Sequence, residues 1–255
     1  MKSLSCERLY WKGNTMINNR YANDLLDILR QAYQENEEKI NLCVEKVVDN
    51  IMNDRIIHMF GTGHSHMVGI EVFARAGGLA NVNAILDPDQ LTMFGTSRSG
   101  SVERLPGLAD IIFDNYDINP GDIMFITSNS GRNAVPVEMA MRCRKEGIFT
   151  VCITSLKVSE KMTSRHPSGR KLYELCDVVL DNCAPEGDGC MTVDGIVTGP
   201  VSSISGMYLA DTIMTTAIEK CVEKGFKPYV YQSQNVDGAD NRAAHFKYKG
   251  RVKHL

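Results

Sequence analysis

The sequence predicts a three-layer α/β domain built on a parallel sheet, and three observations carry that prediction. Short apolar runs recur at 56–60, 82–86, 123–127, 149–154 and 178–180, each the length of a strand buried on both faces. Stretches of helical periodicity lie between them. Two of the strand-to-helix junctions hold glycine-rich turns, Gly61-Thr62-Gly63 and Ser128-Asn129-Ser130-Gly131, and connections this short imply parallel strands with right-handed crossovers.

Taken in order, residues 1–15 show no periodicity and are expected to be a mobile leader or an artefact of start-site choice. From Tyr21 to Ile51 the apolar positions Leu25, Leu29, Ala32, Ile40, Val44, Val47 and Ile51 recur at three- and four-residue spacing. This is a long N-terminal helix, or two helices joined near Glu35–Glu38. The run at 56–60, a helix over 65–76 and the run at 82–86 form a β-α-β unit. A polar, glycine-rich stretch fills 87–107. The unit then returns: a strand at 123–127, a helix over 134–146 stopped by Gly147, a strand at 149–154 and a fifth at 178–180. A last long helix covers 201–224 and stops at Gly225, with Pro228 beyond. The tail, 226–255, is polar with interspersed aromatics and either wraps the domain or reaches a partner subunit. No linker or repeat interrupts the pattern, so residues 1–255 read as one domain.

Twenty-eight basic against thirty-one acidic residues give a net charge of -3, which offers no global attraction to nucleic acid or to an anionic membrane. No apolar run approaches the roughly 18 residues of a spanning helix, and no secretory signal opens the chain. The expected location is the cytoplasm. Eight cysteines are scattered singly with no Cys-x-x-Cys pair, which argues for reduced thiols and against a zinc ribbon.

The most informative segment runs from Asp122 to Pro136. A buried strand enters Ser128-Asn129-Ser130-Gly131 and a helix starts directly after it, where unpaired backbone amides and the positive end of the helix dipole favour an anion. The serine hydroxyls add donors, Gly131 permits close backbone approach, Asn133 suits a helix cap, and Pro136 fits the first turn. An ordinary capped turn uses the same residues. The second loop, Phe60-Gly61-Thr62-Gly63-His64-Ser65-His66, shifts the balance, because two such loops at strand ends of a doubly wound sheet face one crevice. A dinucleotide fingerprint is not complete here: His66 and Met67 stand where its third glycine would fall.

Gly61-x-Gly63-x-Ser65 after the first strand and Ser128-x-Ser130-Gly131-x-Asn133 after the third resemble the SIS (sugar isomerase) domain family, in order and separation. The resemblance covers about 21–224, and the tail 235–255 looks like that of a small stand-alone bacterial subgroup. It implies a five-stranded parallel sheet of flavodoxin-like order in an α/β/α sandwich. It also implies a sugar phosphate ligand and a homodimer or homotetramer with sites near the subunit interface. The implied ligand-binding residues are Gly63, Ser65, Ser128, Asn129, Ser130, Gly131, Asn133 and, at the start of the last helix, Ser202. One departure stands out: the family usually has Ser or Thr where this chain has Asn133.

Aldose–ketose interconversion needs a base between adjacent carbons and a donor for the carbonyl oxygens. Glu71 as base and His64 as donor are the expected pair, with a solvated carboxylate as the bland account of Glu71 and Asp87 as an alternative. No cofactor or metal is called for, although His64-x-His66 with Glu71 or Asp87 resembles a partial ligand set. His166, His245 and His254 are expected at the surface. The leading reading is a sugar-phosphate isomerase. The alternatives are a non-catalytic phosphosugar sensor or regulatory subunit, or a lyase or deaminase of the same substrate class.

Overall fold

The structure, a computed structural model, describes residues 19–255; the expected leader at 1–15 lies outside the described residues. The chain continues as α1 (Arg20–Met52), a single helix of 33 residues capped by the Asn19 side chain. It passes unbroken through Glu35–Glu38 because the buried stripe continues there: Ala32, Asn36 and Ile40 follow at four-residue steps. Asn36 is tolerated in that stripe because its amide exchanges two hydrogen bonds with the Asp181 backbone, at 2.8 and 3.0 Å.

Five strands form the sheet: β1 (Ile57–Gly61), β2 (Val82–Ile85), β3 (Ile123–Thr127), β4 (Phe149–Thr154) and β5 (Val178–Asp181). They are all parallel, in the order β2-β1-β3-β4-β5. The expected flavodoxin-like order is therefore present, and its switch point lies between β1 and β3. On one face α1 packs with α2 (His66–Val72) and α7 (Ser202–Glu223), burying Val44, Val48, Val68, Leu209 and Ile213 against Met59, Phe125 and Ile153. On the other, α4 (Leu108–Asp114) and α5 (Ala134–Lys145) bury Ile112, Val137 and Met139 against Phe60, Met124 and Ile126. Two short helices, α3 (Thr96–Val102) and α6 (Leu156–Lys161), lie in the connections.

Three features differ from the sequence reading. The α2 helix ends at Val72 rather than near residue 76. Phe73 is extended and Ala74 is left-handed (φ 46°), because Gly77, Gly78 and Ala80 pair with the backbone of Tyr229 and Tyr231. An antiparallel hairpin, β6 (Gly189–Val193) and β7 (Ile196–Pro200), precedes α7. Its turn is Asp194-Gly195, both with positive φ (48° and 78°), the dipeptide such a turn favours. The stretch 87–107 contains α3, which no periodicity announced.

The tail wraps its own sheet beside β2. Val230 bridges Leu79, α8 (Arg242–Tyr248) follows, and Tyr231, Tyr248 and Val252 pack on Ile56 and Ala80. No helix among the described residues is long and apolar enough to cross a membrane. The seven described cysteines are free thiols.

Candidate functional site

At the C-terminal end of β3 the chain turns through Ser128–Asn133. Gly131 adopts φ +58°, and a Cβ there would meet Ser159 Oγ at 3.1 Å and Leu172 Cβ at 3.3 Å, so the turn needs glycine for both conformation and space. Ser128 Oγ accepts the Gly131 amide at 3.3 Å. Asn129 is tied to the neighbouring strand ends: its carbonyl accepts Thr154 Oγ1 (3.1 Å), and its side-chain oxygen accepts Asn182 Nδ2 (3.0 Å). Ser130 is half-buried, and its hydroxyl makes no hydrogen bond among the described residues.

The first loop approaches from β1. A Cβ on Gly61 would fall 2.6 Å from the Ser65 backbone, which fixes glycine at that position. Gly63 donates its amide to Gln90 O (2.9 Å) and takes φ +58°. Between the loops lies a crevice lined by Ser65, Val68, Thr127, Asn129, Asn182, Ser202 and Ser203. The α7 N-terminus closes it. Asp188 holds that end by accepting Ser202 N (2.7 Å), Val201 N (3.2 Å) and the Ser202 hydroxyl (2.9 Å). Of the expected ligand-binding residues, Ser65, Asn129 and Ser202 line this crevice, and Gly63, Ser128, Ser130, Gly131 and Asn133 do not.

The sequence reading missed the carboxylate that joins the two loops. Glu103 accepts Thr62 Oγ1 at 2.8 Å and Asn133 Nδ2 at 2.5 Å, while its backbone carbonyl accepts Val135 N at the start of α5 (3.1 Å). Burial raises its pKa, against the Thr62 hydrogen bond and the charges of Arg104 and Arg165. Asn133 occupies the cap position with extended backbone (φ -82°, ψ 159°), but its side chain makes no cap bond. It serves Glu103 on one side and receives Arg165 Nη1 at 3.1 Å on the other.

The expected catalytic pair does not join this cluster. Glu71 pairs with Arg75 one turn along and faces a separate groove with Asp211, between α2 and α7. His64 is exposed at the loop. His66 is buried, its Nδ1 3.2 Å from Gly63 O and its Nε2 without a partner, and burial pushes its pKa down to about 4, so it is neutral at pH 7. Asp87 accepts the Asp89 amide at 2.9 Å, as a turn opener does. His64, His66, Glu71 and Asp87 do not gather as ligands. Among the described residues the group that gathers is Glu35, Asp181 and Cys183, with ligand atoms within 4.8 Å of one another. There burial, then the two carboxylates, push the Cys183 thiol up to about 12, and it donates to Glu35 Oε2. His166 is half-buried, 3.2 Å from Glu138, rather than solvated at the surface.

A doubly wound parallel sheet, with two glycine loops and convergent hydroxyl and amide groups at its switch point, defines an α/β protein of the flavodoxin-like order. The chain belongs to the SIS domain family, whose model matches residues 20–155. It is 42% identical over 215 residues to a UPF0309 protein of Halalkalibacterium halodurans, covering 84% of this chain and 89% of that one. It is 35% identical over 242 residues to a UPF0309 protein of Caldanaerobacter subterraneus, covering 92% and 98%. Among solved structures, the phosphoheptose isomerase GmhA of Neisseria gonorrhoeae shares the fold at 15% identity and TM-score 0.50, over 78% of this chain and 95% of that one. The Vibrio vulnificus NanR protein complexed with ManNAc-6P shares it at 18% identity and TM-score 0.52, over 83% and 66%.

Proposed function

We propose that the protein binds a phosphorylated sugar between its two glycine loops and moves a proton beside the sugar carbonyl, as an aldose–ketose isomerase does. The observation that carries the reading is the bridge Thr62–Glu103–Asn133, which sets a carboxylate with a raised pKa between two loops built to approach a ligand. In this reading the phosphate lies on Ser128, Ser130, Gly131 and Asn133 at the α5 N-terminus. Gly63, Ser65, Asn129 and Ser202 face the sugar. Glu103, rather than Glu71, is the base: its charged form is destabilised by burial, which brings its proton affinity closer to that of a carbon acid's partner. Membership of the SIS family supports the substrate class, as do the phosphoheptose isomerase and the ManNAc-6P complex among the fold neighbours.

Incubation with a panel of aldose and ketose phosphates in deuterated water tests the proposal. Deuterium incorporation by the wild type and its loss in Glu103→Gln is the expected result. Binding without exchange for every sugar phosphate would instead assign the protein as a sensor. A cytoplasmic homodimer or homotetramer belongs to the same proposal, and light scattering with cell fractionation tests it.

A further inference from the structure

Three arginines from three separate segments meet beside the α5 N-terminus. Arg104 follows Glu103 after α3, Arg132 lies in the loop after β3, and Arg165 lies between α6 and β5. None of them forms an ion pair among the described residues, whereas Arg98, Arg142 and Arg170 each hold a carboxylate. The convergence is built by the backbone. Arg165 N donates to Arg132 O and Leu172 N donates to Gly131 O, both at 2.8 Å, so the segment between them is strapped to the loop at each end. Ser164 Oγ, just before it, donates to Arg170 O (2.7 Å), and His166 meets Glu138 of α5 (3.2 Å), which fixes the turn. Arg165 Nη1 is thereby held 3.1 Å from Asn133 Oδ1, and Arg132 Nη2 3.4 Å from Thr163 Oγ1, while the buried Arg132 Nε has no partner among the described residues.

Arg104 and Arg165 are exposed and Arg132 is half-buried. Partial loss of solvent, then the charges of Arg132 and Arg104, push the Arg165 guanidinium below its ordinary range, and only Glu103 works the other way. A site that gathers like charges and leaves a buried donor unfilled fits an anion that arrives later.

We infer that Arg132 and Arg165, with Arg104 at the rim, are the counter-charges for the ligand's phosphate, so that the site selects phosphomonoester dianions over neutral sugars. The inference rests on the loop being a phosphate site. Its charge balance is specific: three guanidinium groups less one Glu103 carboxylate leave two positive charges, which match a phosphomonoester of about -1.5 to -2 at pH 7. Arginine suits the role because its planar fork meets phosphate oxygens in pairs.

Isothermal titration of the full chain with inorganic phosphate, glucose 6-phosphate and unphosphorylated glucose tests this. The wild type is expected to bind the two phosphates and not glucose. Arg165→Ala and Arg132→Ala are each expected to weaken both phosphates about tenfold or more, and Arg165→Lys to recover only part of the loss. Melting temperatures without ligand serve as the control for folding. Should either alanine variant fail to fold, Arg165→Lys and Arg104→Ala carry the test, each through a smaller loss of phosphate affinity. Unchanged phosphate affinity in the folded variants overturns the arginine assignment and leaves the loop's phosphate site intact. A wild type that binds neither phosphate at millimolar concentration overturns the loop reading itself.

Discussion

Asp122 and Glu103 stand at opposite ends of the central strands, the first buried and the second half-buried, and their surroundings push them in opposite directions. Asp122, just before β3, accepts Ile56 N (2.9 Å), Asn119 N (2.8 Å) and the fully buried His58 (3.2 Å). Burial works against its charge, but the hydrogen bonds from His58, Ile56 and Asn119 prevail and hold the carboxyl below its ordinary range. Asn83 Nδ2 meets the other ring nitrogen of His58 (3.2 Å), and Asn83 Oδ1 accepts Lys253 N from the tail (3.1 Å), so the polar groups of this end are spoken for. At the other end burial prevails over the partners of Glu103, and its pKa rises. Burial is common to both. The number of donors per carboxylate separates the structural Asp122 from Glu103, the proposed base.

Several substitutions break or sharpen that contrast. The largest stability loss is expected from Asp122→Ala, which strands His58 and two backbone amides: about 3–5 kcal/mol in urea unfolding, and a loss under about 1 kcal/mol would contradict the structural role. Glu103→Gln is expected to invert the pattern, cutting kcat by roughly a hundredfold or more while urea stability stays within about 1 kcal/mol of wild type. Equal loss of stability in the two variants would erase the distinction. Gly131→Ala forces a side chain into left-handed backbone beside Ser159 and Leu172, and is expected to lower stability by about 1–3 kcal/mol with weaker phosphate binding by titration. Asp188→Ala removes the acceptor at the α7 start, at about 1 kcal/mol in the same unfolding assay.

The smallest effect is the pH dependence, and the two carboxylates give opposite signs. Asp122 is held below its ordinary 3.8, so its contribution is present above that pH and is lost as pH falls through its folded value. Glu103 is held above its ordinary 4.5, so the folded state binds its proton more tightly and stability falls as pH rises from 4.5 through the folded value. Urea midpoints at pH 5 and 7 check the second sign: the part of the difference due to Glu103 disappears in Glu103→Gln.

Strand and helix positions were legible because their signals are local. The stripe from Leu25 to Ile51 survived as one helix, and 134–146 and 201–224 matched helices within a residue at each end. The Asp194-Gly195 turn was equally local and was overlooked beside the helix that follows. Other elements were illegible for a physical reason. Nothing within residues 65–76 shows that Tyr229 and Tyr231 pair with the strand end beyond them and stop α2 early.

By itself the sequence determined the layered α/β fold, its two glycine loops and the residues that turn there, since periodicity, capping and positive-φ glycine act over a few neighbours. Only the tertiary structure decided which charges meet those loops. Thr62 finds Glu103 across 41 positions, Glu103 finds Asn133 across 30, and Asn133 finds Arg165 across 32. Each of these partners lies in a connection whose path is set by crossovers of the parallel sheet, so no spacing along the chain encodes the encounter.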